Sequence, residues 1–187
     1  MKKYLPTERL TKIALFTAII AILSQISIPL PFSPVPLTGQ TLGIFLAGSM
    51  LGSKAGVLSV CAYLLLGAAG APVFALGRGG LQVILGPTGG YLLGLIPGTY
   101  FLGKLIGERE NTNKYYMAAA MGLCLAVVYT LGGLQLGYIM ELSTWQALSI
   151  GVLPYIPGDI IKIVLAIPLI SRLQGIIKNN IVPSPFA

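Results

Sequence analysis

The sequence has 187 residues, 55% of them apolar and only 9% charged, where an average soluble domain carries roughly 25% charged residues. Twelve Lys and Arg with five Asp and Glu cannot clothe a chain whose mean hydropathy is +0.86, so disorder and a dissolved monomer are excluded and an integral membrane protein is expected. The net charge of +7 does not point to nucleic acid, because the basic residues stand singly between apolar runs, not in a stripe interleaved with aromatics.

A bilayer span needs about 20 mostly apolar residues. In chain order the apolar runs are Leu10–Ile28, Thr38–Gly52, Ala55–Ala71, Val83–Gly103, Lys114–Met140 and a last stretch within Trp145–Arg172. They predict an all-α integral membrane protein, a single-domain bundle of six transmembrane helices with short connections. Between the first two runs, Pro29-Leu30-Pro31-Phe32-Ser33-Pro34-Val35-Pro36 cannot be helical and is expected to be an extended loop. Gly70 to Gly80 is a second loop, rich in glycine yet apolar. Near the end, Pro154-Tyr155-Ile156-Pro157-Gly158 is expected to break the last run just before Asp159. No cleavable signal peptide is expected, since the first apolar run follows Lys12 and leads straight into further spans.

Orientation follows from the basic residues. With the N-terminus inside, Lys2, Lys3, Arg9, Lys12, Lys54, Lys104, Arg109, Lys114, Arg172 and Lys178 fall on the cytoplasmic side. That leaves Arg78 and Lys162, so ten of the 12 Lys and Arg lie on one side and both termini are expected in the cytoplasm. All three irregular segments then lie on the outer side. Apolar backbone punctuated by Gly and Pro is tolerated there where it is covered by protein or lines a cavity. Glycines recur every four residues at Gly48, Gly52 and Gly56, and again at Gly86, Gly90, Gly94 and Gly98. Such ridges let helix backbones approach closely, for packing within the bundle or for a partner.

The chemistry present is narrow. Cys61 and Cys124 lie in apolar runs without C-x-x-C spacing and read as packing residues. The absence of His excludes imidazole metal sites and His-dependent triads, and no metal or cofactor is expected. Gly98-Thr99-Tyr100-Phe101-Leu102-Gly103-Lys104-Leu105 nearly matches a phosphate loop. It ends in Leu where Ser or Thr is needed, and it lies in an apolar helix, so no nucleotide site is assigned. Glu8 is terminal, Glu108 and Glu110 lie in a basic inner loop and Glu141 is at an outer edge. No catalytic motif appears, and an enzyme is not expected.

Asp159 and Lys162 remain. Ionisable groups at bilayer depth usually mark ligand or ion pathways, and three residues apart on a helix they project from one face. They could neutralise each other as an internal pair. Alternatively they could meet a ligand with a hydrogen-bonding head and a carboxylate, Lys162 holding the anion and Asp159 accepting from N–H donors. Gly86-Pro87-Thr88-Gly89-Gly90-Tyr91 opens the fourth run. It is either a helix start built for packing or a backbone that a ligand approaches, with Thr88 and Tyr91 supplying contacts.

Together these segments resemble the BioY family, the biotin-specific substrate-binding (S) components of energy-coupling factor (ECF) transporters. The resemblance runs from about Leu10 to Arg172. It rests on Pro34-Val35-Pro36-Leu37-Thr38 leading to Gln40-Thr41-Leu42, on Ala47-Gly48 and Leu51-Gly52, on Gly70-Ala71-Pro72-Val73-Phe74, on the run Gly86–Tyr91, and on Pro157-Gly158-Asp159 with Lys162. It implies a six-helix S component that captures biotin from outside, and as partners an ECF transmembrane scaffold subunit and two ATPase subunits, besides membrane lipid. It also implies a pocket in the outer half, with Asp159 and Lys162 matching the family's G-D-x-x-K motif. Lys162 is expected on the biotin carboxylate and Asp159 on a ureido N–H, with Tyr155, Phe74, Thr88 and Tyr91 as walls; Arg78 either helps hold a carboxylate or faces water. The A-x-x-x-A pattern of S-component first helices, which docks on the scaffold, corresponds to Ala14 and Ala18. Without the resemblance those two alanines are a small-residue face that could equally pack internally. The reading from another class is a stand-alone secondary transporter or channel for a small carboxylate. It lacks a coupling-ion relay and a detectable inverted repeat.

Overall fold

The computed structural model of the chain describes residues 7–107 and 113–181, with side chains up to residue 176. Lys2, Lys3, Glu108, Arg109, Glu110 and the side chain of Lys178 lie outside the described residues. Helix α1, Thr7–Gln25, opens with Glu8 paired to Lys12 one turn on, at 2.5 Å. It ends where Ile26 and the prolines at 29 and 31 follow, because proline offers no N–H to continue the ladder. The chain then turns through an antiparallel hairpin, β1 (Ser27–Leu30) against β2 (Ser33–Thr38). Ser27 faces Thr38 and Leu30 faces Ser33, with the ladder irregular between Ile28 and Leu30, where Pro29 sits. The expected loop is extended, and its two arms are paired.

Helix α2, Gln40–Ala68, is broken at Gly52, whose φ of +76° and ψ of −177° suit only glycine. Its second arm folds back on the first, so that Gln40 donates to the Tyr63 hydroxyl at 3.0 Å from the far side of the break. The two runs expected as Thr38–Gly52 and Ala55–Ala71 are therefore the two arms of one broken helix, and the turn falls at Gly52 instead of around Lys54. After a loop with one 3₁₀ turn at Ala75–Gly77, short helix α3 (Leu81–Leu85) leads to α4 (Gly89–Leu102). The continuous span expected over Val83–Gly103 is thus interrupted. Gly86 is extended and Pro87 lacks an N–H, so helical hydrogen bonding stops there; the Gln135 amide donates instead to the carbonyls of Ile84 and Gly86, both at 2.9 Å.

Helix α4 runs on into a π turn at Gly103–Gly107. Helix α5, Lys114–Ile139, is capped by Asn113, whose side chain accepts the Tyr115 N–H. Helix α6, Thr144–Gly151, starts with a capping box of Ser143 and Gln146. A 3₁₀ turn at Leu153–Tyr155 precedes α7, Ile156–Ile181. The expected break at 154–158 therefore ends at Tyr155. Pro157, Gly158 and Asp159 all lie in the first turn of α7, where a missing proline N–H costs nothing.

The result is an all-α bundle with a small hairpin. Among the described residues, three segments are long and apolar enough to cross a membrane: Gln40–Ala68, Lys114–Ile139 and Thr144–Ile176. Their partners are packed through glycine. A Cβ on Gly94 or Gly98 would stand 2.9 Å from the Val128 backbone or 3.0 Å from Cys124 Sγ, and on Gly48 or Gly56 about 3.1 Å from the side chains of Leu102 or Thr99. Most of the glycine ridge therefore packs within the chain.

The two ends of the bundle differ. At one, the Gly52 turn meets Gly103 and Gly107, and Gln174 donates to the Ser49 carbonyl, so the π turn and α7 both pack on α2 beside Gly52. Lys54, Lys104 and Arg172 are exposed around this end. At the other stand the hairpin, the 69–80 loop, the break at Gly86–Thr88 and the turn at Leu153–Tyr155.

Candidate functional site

The end that carries the irregular segments holds an open cavity, about 730 Å³ with the space at its mouth included, lined mainly by apolar side chains with a few polar groups, as small-molecule sites are. Strand β2, the start of α2, the 69–80 loop and helices α3, α4, α5 and α7 contribute to it. Each of the residues expected at a binding site reaches it: Phe74, Arg78, Thr88, Tyr91, Tyr155, Asp159 and Lys162 all line its wall.

Its polar end is a closed cluster. Lys162 Nζ donates to Asp159 Oδ1 at 2.7 Å and to Thr41 Oγ1 at 3.1 Å, while the Thr41 hydroxyl donates to Asp159 Oδ1 at 3.1 Å. The Tyr129 hydroxyl donates to Asp159 Oδ2. Side-chain exposure is 5% for Asp159 and 15% for Lys162, so the carboxylate is nearly enclosed and the ammonium keeps one N–H uncommitted. The cluster is neutral overall and offers both donors and acceptors.

Lys162 and Asp159, expected at the ligand's carboxylate and at a ureido N–H, are bonded to each other.

The remaining walls are apolar with polar tips. Phe74 is buried edge-on against Tyr63, centroids 5.5 Å apart. The loop that carries Phe74 is fastened to the end of α1: Gln25 donates to the Phe74 carbonyl and accepts the Gly77 N–H, both at 3.1 Å. Tyr91 fits a notch left by Gly132 and Gly151 and donates to the Gly151 carbonyl at 2.8 Å. Tyr155 donates to the Val35 carbonyl and so ties the turn before α7 to β2. Thr88 caps no N–H but turns its hydroxyl to the Val83 carbonyl at 3.4 Å. Arg78 is exposed at the mouth. Ala14 and Ala18 are also exposed, on the side of α1 away from its buried Ile13, Thr17 and Ile20, and take no part in the cavity.

Sequence reasoning missed Thr41, Gln40 and Tyr129, which also line the cavity. The first two stood inside the segment that carried the family resemblance. Their signal is a pair of hydrogen-bonding side chains opening an otherwise apolar run. Tyr129 gives no such signal in a helix that also carries Tyr115, Tyr116 and Tyr138.

A bundle of membrane character, closed by glycine packing at one end and open at the other onto an apolar cavity with one neutral ionic cluster, is a membrane protein built to hold a small amphipathic molecule. The sequence profile of the BioY family matches residues 1–179, and the chain belongs to that family. It is 42% identical over 167 residues to the biotin transporter BioY of Thermotoga maritima, covering 89% of this chain and 96% of that protein. It is 39% identical over 168 residues to the probable biotin transporter BioY of Pyrococcus horikoshii, covering 90% and 97%. The fold is similar to the crystal structure of the S-component for biotin from an ECF-type ABC transporter, with a TM-score of 0.84 and 32% identity over 92% of this chain and 95% of that one.

Proposed function

We propose that this chain captures biotin as the S component of an ECF-type transporter and hands it inward with an ECF scaffold subunit and two ATPase subunits. The observation that carries the reading is the cavity itself: apolar walls closed at depth by the Lys162–Asp159–Thr41–Tyr129 cluster. In this reading the bundle spans the membrane six times with both termini in the cytoplasm, a placement supported by the basic residues around the glycine-packed end. The cavity then opens outward.

The ureido ring, with one carbonyl and two N–H groups, suits the neutral cluster: its carbonyl takes the uncommitted N–H of Lys162 and its N–H groups face Asp159 and Thr41. Phe74, Thr88, Tyr91 and Tyr155 form the walls along the thioether ring and the chain. The carboxylate is left for Arg78 at the mouth. Ala14 and Ala18, exposed on α1, are the scaffold-docking face.

Isothermal titration of the purified protein with biotin tests the reading, and saturable one-to-one binding is expected. Biotin methyl ester should bind the wild type more weakly than biotin and match biotin in Arg78→Ala. Absence of biotin binding sinks the function; an ester that loses equally in both proteins sinks the place given to Arg78.

A further inference from the structure

We infer that Tyr129 sets the size limit for the ligand end that rests on the ionic cluster, by walling the cavity off from a second, lateral groove; this rests on the reading of the cavity as the biotin site. Tyr129 lines both spaces. On one side its hydroxyl is held by Asp159 Oδ2. On the other, Tyr129 borders a groove between α5 and α6, of about 840 Å³ counting its open side, bordered also by Gly133, Gly137, Ala147 and Leu148. The small residues leave that groove unfilled: a Cβ on Gly133, one turn along from Tyr129, would meet nothing within 4 Å.

The residue is therefore a partition, with the cavity on one side and the open groove on the other. Its hydrogen bond to Asp159 fixes where the partition stands, since a Tyr ring with a bonded hydroxyl has little freedom left in its two side-chain torsions. A ligand group that fits against the cluster cannot grow past the ring, although room lies directly behind it. Removing the ring joins the two spaces. Removing only the hydroxyl keeps the partition but takes a donor from Asp159.

The test compares biotin with an analogue methylated on a ring carbon beside a ureido nitrogen, which adds the same bulk and keeps both N–H donors. The wild type should reject the analogue by roughly 10–100-fold, the effect of forcing one extra methyl into a filled site. Tyr129→Ala should bring the two affinities within about threefold of each other, and Gly133→Leu added to it, which refills the groove, should restore the rejection. Tyr129→Phe should keep the wild-type ratio while weakening both ligands by roughly tenfold or more, the scale of a hydrogen bond to a charged group. Where Tyr129→Ala fails to yield folded protein, Tyr129→Val makes the same comparison with a smaller loss of packing. An unchanged ratio in the truncated variants overturns the inference. So does loss of both ligands in a truncated variant that melts like wild type, because Tyr129 then only supports Asp159. Failure of the wild type to bind biotin is a different result and overturns the site, not the partition.

Discussion

Substituting Lys162 by Met keeps most of the side-chain stem and removes the charge that faces Asp159. The Asp159 carboxylate, 5% exposed, keeps its bonds from Thr41 and Tyr129 but loses its only cation among the described residues. At 2.7 Å and an effective dielectric constant of about 20, the gross attraction is about 6 kcal/mol. Much of that offsets desolvation in the intact protein. Once the partner is gone the desolvation remains uncompensated, and breaking such a pair from one side typically costs about 3–5 kcal/mol. For a chain of this size each kcal/mol corresponds to about 2–4 °C, so Lys162→Met should lower the apparent melting temperature by roughly 6–20 °C. Asp159→Asn combined with Lys162→Met removes both charges and should recover most of that loss, because neither ion is left buried alone. Biotin binding should be lost in both variants. Thermal unfolding of detergent-purified protein by far-ultraviolet circular dichroism, with titration of biotin alongside, measures both quantities. If Lys162→Met melts with the wild type, or the double variant is as unstable as the sum of its parts, the cluster is not the enclosed neutral unit described here.

Two further outcomes follow from single positions. Gly67→Ala puts a Cβ into the ring of Phe74, which must then leave Tyr63 and move into the cavity; a loss of about 1–3 kcal/mol in stability and weaker biotin binding are expected, and unchanged melting would show that the ring yields freely. Ala14→Trp and Ala18→Trp sit on exposed positions of α1, so they should leave melting and biotin binding unchanged while abolishing co-purification with the scaffold subunit. Normal assembly of both variants would move the docking face elsewhere.

How far the sequence could be read depended on the kind of signal. Apolar runs gave the bundle, because burial in lipid demands length and little else. They misplaced the helix breaks, since those are set by single residues. Gly52 reverses α2 through a positive φ that any apolar average smooths over, and Gly86-Pro87 interrupts the run at Val83–Gly103 by removing one N–H and leaving one residue extended. Pro157 misled in the other direction: in the first turn of a helix it is compatible with helix, and the break lies before it. At the site, Asp159 and Lys162 were legible because ionised groups are rare and costly at depth. Their mutual bond was only one of two readings, since spacing on one helix says which face they share but not what third group stands between them. That group is Thr41, which donates to Asp159 and accepts from Lys162 and lies 118 residues from Asp159 in the chain.

The shape of the cavity follows from where small and large side chains are spent along the same helices. Between α2 and the end of α4 the contacts are glycine on backbone: Gly103 against Gly52 and Ser53, Gly107 against Gly48 and Gly52. Helices joined so closely at one end would also close at the other if their side chains stayed small. Instead Tyr63, Tyr91, Tyr129 and Tyr155 fill the opposite end, and each has its hydroxyl engaged: by Gln40, the Gly151 carbonyl, Asp159 and the Val35 carbonyl respectively. A bonded hydroxyl holds each ring upright as a strut between two elements, which resists collapse into the space in a way that freely rotating apolar side chains do not. Tyr91, Tyr129 and Tyr155 thus stand around a space whose floor is the ionic cluster, with Tyr63 behind the wall formed by Phe74.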